Sequence, residues 1–512
     1  MTNDRDPASA RAPSSREAFR RVFPGVMVAM FLAAADQTIL ASALPTIASA
    51  LGVVADLSWV VVAYLLAATV AAPLYGYIGD RFGRRRALLG ALAVFTLASC
   101  ACAVAPSFWW LVGLRALQGL GGGGLMTLSQ ALIGEHVAPR ERGRYAGYFA
   151  VLFALSSTSG PVIGAYLTEH VSWRAVFLIN LPLGIVAGVL SLRVPHVAPP
   201  RREGPFRPDV LGAILFCAAT ASFLFALSSG GHRFPWISMP MAALVTTTAI
   251  ALAALAWWER RHDDPIIPIH FLKVPAIARA DAVVLCFGAS LFAVIVFLPL
   301  YLQLGRGLGI GASGLLLLPI TLAQVTSAAI TGRLVTRTGN VTIFPKIGLS
   351  LVAIAFVSLA LAVERAPTSA ILALTMLVGL GLGMVMPPTQ VAVQTAAGRG
   401  QLGVATASIS LCRAVGGAIG VALIGAVLFA IIDHAGNTAG TAALMHQSIE
   451  GGAAFIANMS QAQRASLVGL VNEAYRVAFG VLAAIAAIGV LIATTVPRMD
   501  WREGGVDGSE GD

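Results

Sequence analysis

The amino-acid sequence predicts an all-α integral membrane protein built from two six-helix bundles, related by pseudo-two-fold symmetry, with two inserted helices between them. Three observations support this fold class: an apolar composition with few charges, fourteen long apolar segments, and an internal repeat of about 256 residues. Together they predict fourteen transmembrane helices, and they exclude a soluble domain and a disordered chain.

The composition is that of a protein surrounded by lipid. Of the 512 residues, 57% are hydrophobic and only 11% are charged, whereas a typical soluble domain carries about 25% charged residues. The net charge of +10 does not indicate nucleic-acid binding, because the basic residues are spread along the chain. The five cysteines lie in apolar stretches without C-x-x-C spacing. We therefore predict small buried side chains there, not a metal or redox site.

The apolar segments are long enough to cross a bilayer, since a transmembrane helix needs about 20 predominantly apolar residues. The first apolar run is too long for the core of a signal peptide. We therefore predict a membrane span there, preceded by a cytoplasmic tail over 1–22. In chain order, the predicted spans are 23–46, 57–79, 87–106, 108–133, 145–168, 173–192, 209–229, 236–258, 279–303, 311–333, 343–363, 368–395, 403–431 and 475–496.

Arginine and lysine residues predict the orientation of these spans, because cytoplasmic loops of membrane proteins carry an excess of them. With a cytoplasmic N-terminus, 26 of the 34 fall in cytoplasmic segments and six in outer loops. The remaining two, Arg115 and Arg413, lie deep inside spans, far from either end. One missed or extra span would scramble this alternation. The sequence thus predicts a multi-pass protein of the plasma membrane with both termini in the cytoplasm.

Three segments of the N-terminal half recur in the same order in the C-terminal half. The matched pairs are GYIGDRFG (76–83) with GRLVTRTG (332–339), GLGGGGLMTLSQ (119–130) with GLGLGMVMPPTQ (379–390), and GPVIG (160–164) with GGAIG (416–420). Paired halves around a central path are the architecture of secondary transporters, whose substrate site lies near the midplane between the halves.

The repeat also predicts how the chain is divided. We expect an N-terminal six-helix bundle over 23–200 and two extra helices over 201–265. A C-terminal bundle then covers 266–497, and a cytoplasmic tail covers 498–512. An outer loop over 433–474 precedes the last span and has no assigned function.

Two ionisable residues lie deep inside predicted spans, where a charge costs about 2.5–3.5 kcal/mol on insertion scales. Asp36 in the first span and Arg115 in the fourth differ in depth by only ~3 Å, so the two side chains can meet. A carboxylate held between the cost of burial and the attraction of a cation can bind and release a proton as a cavity opens to either side. That is the chemistry a proton-coupled antiporter needs, and a static structural ion pair is the alternative.

Two further charges have no such partner in the sequence. Arg413 lies near the middle of the thirteenth span, where no equally deep acid is evident. We expect its guanidinium to bond backbone carbonyls or to contact an anionic group, such as one on a substrate. Asp281 lies close to the cytoplasmic start of the ninth span and fits an interfacial cap better.

The loop between the second and third spans reads GYIGDRFGRRR and is a candidate gating element. Gly76 and Gly83 permit close helix approach and a tight turn. Asp80 can pair with Arg81 or with an arginine of a neighbouring span. We interpret this loop, including Arg84, as a latch that holds one gate state. The alternative is a basic cytoplasmic loop that only fixes topology.

The fifth span contains SSTSGPVIGAY, in which Pro161 can kink the helix while Gly160 and Gly164 supply a small face. Ordinary small-residue packing is the alternative. The glycine run at 119–124 lacks the Lys-Ser or Lys-Thr of a phosphate-binding loop, so we reject nucleotide binding. We predict no metal site and no cofactor, and a proton gradient as the energy source.

These motifs, in this order, resemble the major facilitator superfamily in its fourteen-span drug:proton antiporter branch (EmrB/QacA type). The resemblance covers nearly the whole chain, although Ala165 and Ala35 stand where glycine and leucine are usual. The segments that carry it are ADQTILASALPTIA in the first span, GYIGDRFGRRRAL, RALQGLGGGG in the fourth, SGPVIGAY in the fifth, WRAVFLINLPLG at the start of the sixth and RAVGGAIGVAL in the thirteenth.

The resemblance implies the major-facilitator fold and alternating access driven by proton influx. It assigns proton coupling to Asp36 and Arg115, gating to the Gly76–Arg84 loop, and antiport character to the 160–164 motif. Some relatives that export multivalent cations carry further acids in their transport path. Asp36 is the one clear deep acid here, which favours lipophilic or monocationic substrates.

The function best supported is export of amphipathic small molecules across the plasma membrane in exchange for protons. A proton-linked porter for one metabolite, such as a siderophore, an amino-acid derivative or a self-made antibiotic, is the alternative among transporters. A membrane enzyme would need clustered His, Asp, Ser or Glu at a membrane face, and a channel fits the two-fold repeat less well. The expected partners are the substrate, protons and the lipid bilayer, without nucleic acid. A periplasmic adaptor and the oligomeric state are left open.

Overall fold

A computed structural model describes residues 15–51, 59–137, 139–195, 209–230, 234–262, 273–308, 310–436 and 459–497. Within these ranges the secondary structure is helical, and there is no strand beyond an isolated bridge between Gly230 and Phe234. Most of the predicted tails, 1–22 and 498–512, and the middle of the predicted outer loop, 433–474, lie outside the described residues.

Each of the fourteen predicted spans coincides with helical structure. The first nine helices are α1 (Ser15–Leu51), α2 (Trp59–Phe82), α3 (Arg84–Ala103), α4 (Phe108–His136), α5 (Pro139–His170), α6 (Ala175–Leu178), α7 (Asn180–Ser191), α8 (Val210–Ser229) and α9 (Met239–Glu259). The other eight are α10 (Pro275–Leu304), α11 (Ile310–Leu315), α12 (Leu318–Thr338), α13 (Ile343–Ala362), α14 (Thr368–Gly383), α15 (Met386–Ala397), α16 (Leu402–Gly436) and α17 (Gln461–Thr495).

Eleven helical segments in the described part of the chain are long and apolar enough to cross a membrane. The helix α4 is not among them, because its glycines, Arg115 and Gln118 lower its mean hydropathy. Several side chains of α5 lie outside the described residues, so α5 is not counted either way. The α6–α7 segment, Ala175–Ser191, is apolar but shorter than these membrane-spanning helices. The predicted twelfth span is broken into α14 and α15, since Pro387 and Pro388 can begin a helix but cannot continue one. The count of fourteen spans therefore stays a prediction, as do the bundle boundaries.

The apolar core is divided into clusters that follow the two halves of the chain. Among the described residues, two clusters draw only on positions 22–194, and three draw only on positions 277–493. The inserted helices α8 and α9 pack on each other, and α8 also touches α2 and α16. Each half therefore buries its own apolar surface.

Contacts between the halves follow the internal repeat. The repeat maps α2 onto α12 and α5 onto α16, and the structure packs α2 against α16 and α5 against α12. These two contacts are equivalent under a pseudo-two-fold axis. The repeat therefore appears in the packing as well as in the sequence.

The glycine run of α4 is a packing device. Gly119 and Gly123 lie against the backbone of α2, whereas Gly121 and Gly124 lie against α3. A methyl group at any of these positions would overlap a neighbouring helix. Small residues on two sides of α4 let three helices approach closely, which is how tightly packed membrane helices are built.

We expect Gly121→Ala to destabilise the protein by about 1–3 kcal/mol, the usual cost of overpacking. The added Cβ would lie 2.5 Å from the backbone nitrogen of Phe95 in α3. The matched control is Gly113→Ala in the same helix, because no atom lies within 4 Å of its added Cβ. Thermal unfolding in detergent measures the difference, and equal melting temperatures for the two variants would contradict the close packing of α4.

Candidate functional site

A buried ion pair lies inside the N-terminal half of the chain. The Arg115 Nη1 of α4 lies 2.6 Å from the Asp36 Oδ2 of α1. The two residues are only 1% and 3% exposed. The structure thus brings together the two ionisable residues that the sequence predicted to meet.

The second oxygen of Asp36 accepts two amide hydrogen bonds. Gln118 of α4 donates through Nε2 to Oδ1 at 2.9 Å, and Asn180 at the start of α7 donates through Nδ2 at 2.7 Å. Both amides are fully buried. Both carboxylate oxygens are therefore occupied by N–H donors, as a buried charge requires.

The amide side chains are in turn fixed by Ser99 of α3. The Ser99 hydroxyl accepts from Gln118 at 3.0 Å and from Asn180 at 2.9 Å, and it donates to the carbonyl of Phe177 at 2.9 Å. Four helices, α1, α3, α4 and α7, therefore meet at one polar network.

Besides its ion pair with Asp36, Arg115 forms two further hydrogen bonds and a contact with an aromatic ring. Its Nε donates to the carbonyl of Val60 at 3.2 Å, and its Nη1 donates to Oε1 of Gln118 at 2.7 Å. Its guanidinium carbon lies 4.4 Å from the centre of the Tyr64 ring, within the range of a cation–π contact. The network therefore fixes both members of the ion pair.

In this arrangement a proton on Asp36 would affect the contacts of α1. Two amides donate to Oδ1, so a proton on that oxygen would displace one of them, whereas Oδ2 accepts one bond, from Arg115, and has room for a proton. Neutral Asp36 would also lose most of its attraction to Arg115. Protonation would thus loosen the contacts between α1, α4 and α7, and separation of these helices would free the carboxylate to take a proton.

Gln118, Asn180 and Ser99 were not singled out as site residues from the sequence. Gln118 lies three residues after Arg115, so it shares a helix face with the arginine. That spacing was a usable signal. Ser99 gave none, because a serine in an apolar helix usually bonds its own backbone.

A second polar cluster lies where α2 ends and α3 begins. Asp80 accepts two hydrogen bonds from Arg84, at 3.0 Å from Nε and 2.5 Å from Nη2. The backbone nitrogens of Gly403 and Val404, at the start of α16, donate to the same carboxylate at 2.9–3.1 Å. Asp80 therefore binds the N-terminus of a helix that belongs to the other half of the chain, where a negative charge is stabilised.

The sequence around Asp80 makes this contact possible. A Cβ on Gly76 would lie 2.6 Å from the carbonyl oxygen of Gly403, so only glycine lets α2 approach α16 so closely. Gly83 has a φ of 95°, which permits the sharp turn from α2 into α3. Arg84 also pairs with Glu135 of α4 at 2.7 Å. We call Asp80, Arg84, Glu135 and the first turn of α16 the latch.

Arg81, which the sequence grouped with this loop, has a different place. It lies at the last turn of α2 and is partly exposed. Asp80 forms its ion pair with Arg84, the first residue of α3.

The glycines of the fifth-span motif press α5 against α1. A Cβ on Gly160 would overlap Thr38, and one on Gly164 would overlap the carbonyl of Ile39. Thr38 donates to the carbonyl of Ser156 in α5 at 2.9 Å. The motif therefore contacts the turn of α1 that follows Asp36. The side chain of Pro161 lies outside the described part of the chain.

The remaining intramembrane charges lie in the C-terminal half. Arg413 belongs to α16, and its backbone carbonyl lies close to Gly288 of α10. Asp281 is buried and lies six residues after Pro275, the first residue of α10, so it does not cap that helix. Among the described residues, no group of three or more His, Cys, Asp or Glu could hold a metal ion.

The comparisons with known proteins agree with this geometry. The family model of the Major Facilitator Superfamily matches residues 26–421. An uncharacterised MFS-type transporter of Mycobacterium tuberculosis is 32% identical over 96% of this chain and 72% of its own length. The multidrug transporter protein MdtP of Bacillus subtilis is 31% identical over 79% of this chain and 74% of its own.

Solved structures share the fold at low sequence identity. The human organic anion transporter MFSD10 superposes with a TM-score of 0.62 at 15% identity, over 93% of this chain and 99% of its own. The proton:xylose symporter XylE gives 0.62 at 14% identity, over 94% and 97%. With the family match over most of its length, these helices and contacts identify the chain as a transporter that belongs to the major facilitator superfamily.

Proposed function

We propose that this chain exports amphipathic small molecules across the plasma membrane in exchange for protons, by alternating access between two six-helix bundles. The observation that carries the proposal is the buried Asp36–Arg115 pair, because a proton on Asp36 would remove the charge that attracts Arg115. Similarity to a multidrug transporter supports export of varied compounds. We further propose fourteen membrane spans with both termini in the cytoplasm.

The latch supplies the other part of such a cycle. It joins α2 of one half to α16 of the other through one carboxylate and two backbone N–H groups. Because these bonds cross between the halves, they hold that end of the protein closed and must break when it opens. We assign this end to the cytoplasmic side, following the distribution of arginines.

We propose lipophilic or monocationic compounds as substrates, because Asp36 is the one acid that the family resemblance places in the transport path. The proton gradient is the energy source, without a bound cofactor. Transport into proteoliposomes under an imposed pH gradient, with a panel of neutral, cationic and anionic amphiphiles, tests both points. Uptake of a single metabolite alone would instead identify a dedicated porter.

We expect Asp36→Asn to lower the rate of proton-driven transport by tenfold or more, while the protein stays folded. Asparagine keeps the shape of the side chain but cannot carry the coupled proton. Transport in proteoliposomes measures the loss. Asp209→Asn is the matched control, because Asp209 is equally buried, at 2% exposure, but caps α8 away from this network. Parental rates in Asp36→Asn would remove Asp36 from proton coupling.

We expect Arg115→Ala to lower the free energy of unfolding by about 3–5 kcal/mol, because it leaves the Asp36 charge buried without its cation. The double variant Arg115→Ala/Asp36→Asn should recover part of this loss, since no uncompensated charge remains. Thermal unfolding of the single and double variants in detergent measures the coupling. Strictly additive losses would mean that the two residues do not interact energetically.

We expect Asp80→Asn to open the latch, because it replaces charge-assisted hydrogen bonds to Arg84 and to α16 with weaker neutral ones. Spin labels on the exposed positions Arg86 and Thr338, in a cysteine-free background, report the separation of the halves at this end. Double electron–electron resonance should show a larger population at long distance.

The control for this measurement is Glu364→Gln. Glu364 forms an exposed pair with Arg476 and lies just after α13. It should leave the distance distribution unchanged, since exposed ion pairs contribute little. A distribution for Asp80→Asn that matches the parent would show that Asp80 does not hold the halves together.

A further inference from the structure

Besides Asp36 in the N-terminal half, the C-terminal half contains a buried acid, Asp281. Its hydrogen bonding differs from that of Asp36. Asp281 of α10 is 5% exposed, and its Oδ1 has no hydrogen-bond partner in the described part of the chain. No described cation forms an ion pair with it, whereas Asp36 has Arg115 and two amides. A charged carboxylate with an open acceptor is costly to bury.

In the described part of the chain, the polar groups that face Asp281 are uncharged. Ser408 of α16 lies within hydrogen-bonding reach, and the Cys412 thiol of the same helix lies nearby. The neighbouring apolar cluster contains Ile277 and Val284 of α10 and residues of α15 and α16. On the α17 side, the guanidinium of Arg279 is turned to the carbonyl oxygen of Thr495.

This environment determines what Asp281 can bind. Asp281 is 5% exposed, and two turns further along α10 a Cβ on Gly288 would overlap the carbonyl oxygen of Arg413 in α16. A carboxyl group buried in this way can take a proton, which needs no cavity, whereas an amphipathic substrate would need one. Protonation converts the carboxylate to a neutral carboxylic acid with one O–H donor, and it needs no other reactant.

The position of Asp281 links it to the latch. The first turn of α16 donates to Asp80 through Gly403 and Val404, and Ser408 follows about one turn later in the same helix. A displacement of α16 at Asp281 must therefore be felt at Asp80.

The repeat gives the depth of Asp281. Gly164 and Gly420 are equivalent, and they approach the carbonyl oxygens of Ile39 and Ala289. Asp36 precedes Ile39 by three residues, and Asp281 precedes Ala289 by eight. At a rise of 1.5 Å per residue, Asp281 lies about 7 Å nearer the latch than the level of Asp36.

We infer that Asp281 is a second proton-binding carboxylate, in the C-terminal half, whose neutral form keeps α10 and α16 packed and the latch closed. When it is ionised, its open oxygen requires water or a donor, which favours separation of the two helices and opening at the latch. The inference rests on the proposed proton coupling, since it assigns one site at which the proton acts.

The test uses the Arg86 and Thr338 spin labels in nanodiscs, from acid to alkaline pH, without substrate. In the parent, the distance between the two labels should shift from short to long as the pH rises. In Asp281→Asn, which mimics the neutral form, this distance should stay short at every pH. Asp281→Glu should restore the pH response and guards against a folding defect in the asparagine variant. Asp209→Asn, a buried acid with an unpartnered oxygen elsewhere, should respond like the parent.

Two results would overturn the inference. One is an Asp281→Asn distribution that shifts with the same midpoint as the parent, and the other is a parent that does not respond to pH. Transport in proteoliposomes separates this from the proposed function. If the parent shows proton-driven export but the distances in Asp281→Asn respond to pH as in the parent, only the role of Asp281 is refuted. If the pH response is lost in Asp281→Asn but the parent shows no proton-driven export, only the proposed function is refuted.

Discussion

A charge inside an apolar protein must have all of its hydrogen bonds made, and this constraint organises the N-terminal half. Asp36 is buried, and Arg115, Gln118 and Asn180 donate hydrogen bonds to its two oxygens. These donors come from α4 and α7, and Ser99 of α3 orients two of them. The position of four helices is thus fixed by the needs of one carboxylate. A change in its charge therefore acts on the whole bundle.

The latch obeys the same constraint but draws its partners from both halves. Asp80 is satisfied by Arg84 on its own side and by the first N–H groups of α16 on the other. The free N–H groups of a helix start bind an anion without any side chain, so the bonds need only the helix to be in place. They therefore depend on contact between α2 and α16. The Asp36 network lies within the N-terminal half, whereas the Asp80 contact joins the two halves.

The sequence predicted the spacing of residues along helices and their depth in the membrane. It was less informative about which neighbouring helix each side chain faces. The Arg115–Asp36 contact followed from equal depth in two spans, and the close approach at Gly76 followed from the absence of a side chain. The burial of Asp281 did not follow, because depth along a span does not say which neighbour a side chain faces. Ser99 was missed for a related reason, since its donors lie on α4 and α7 and only the fold brings them together. The Pro387–Pro388 pair was a sequence signal for the break between α14 and α15, but the continuous hydropathy of this segment predicts a single span.

The two halves share their packing but not their charges. The repeat aligns Arg115 with Thr375, whose hydroxyl donates to the carbonyl of Leu372 in its own helix. It aligns Asp80 with Thr336, which likewise bonds its own helix at Gly332. In the C-terminal half, then, the aligned positions hold hydroxyl groups that bond their own helices. The buried acid of this half, Asp281, has an oxygen without a hydrogen-bond partner in the described part of the chain. The packing of the two halves follows the repeat, whereas the hydrogen bonding of their buried acids does not, since Asp36 is held by one cation and two amides.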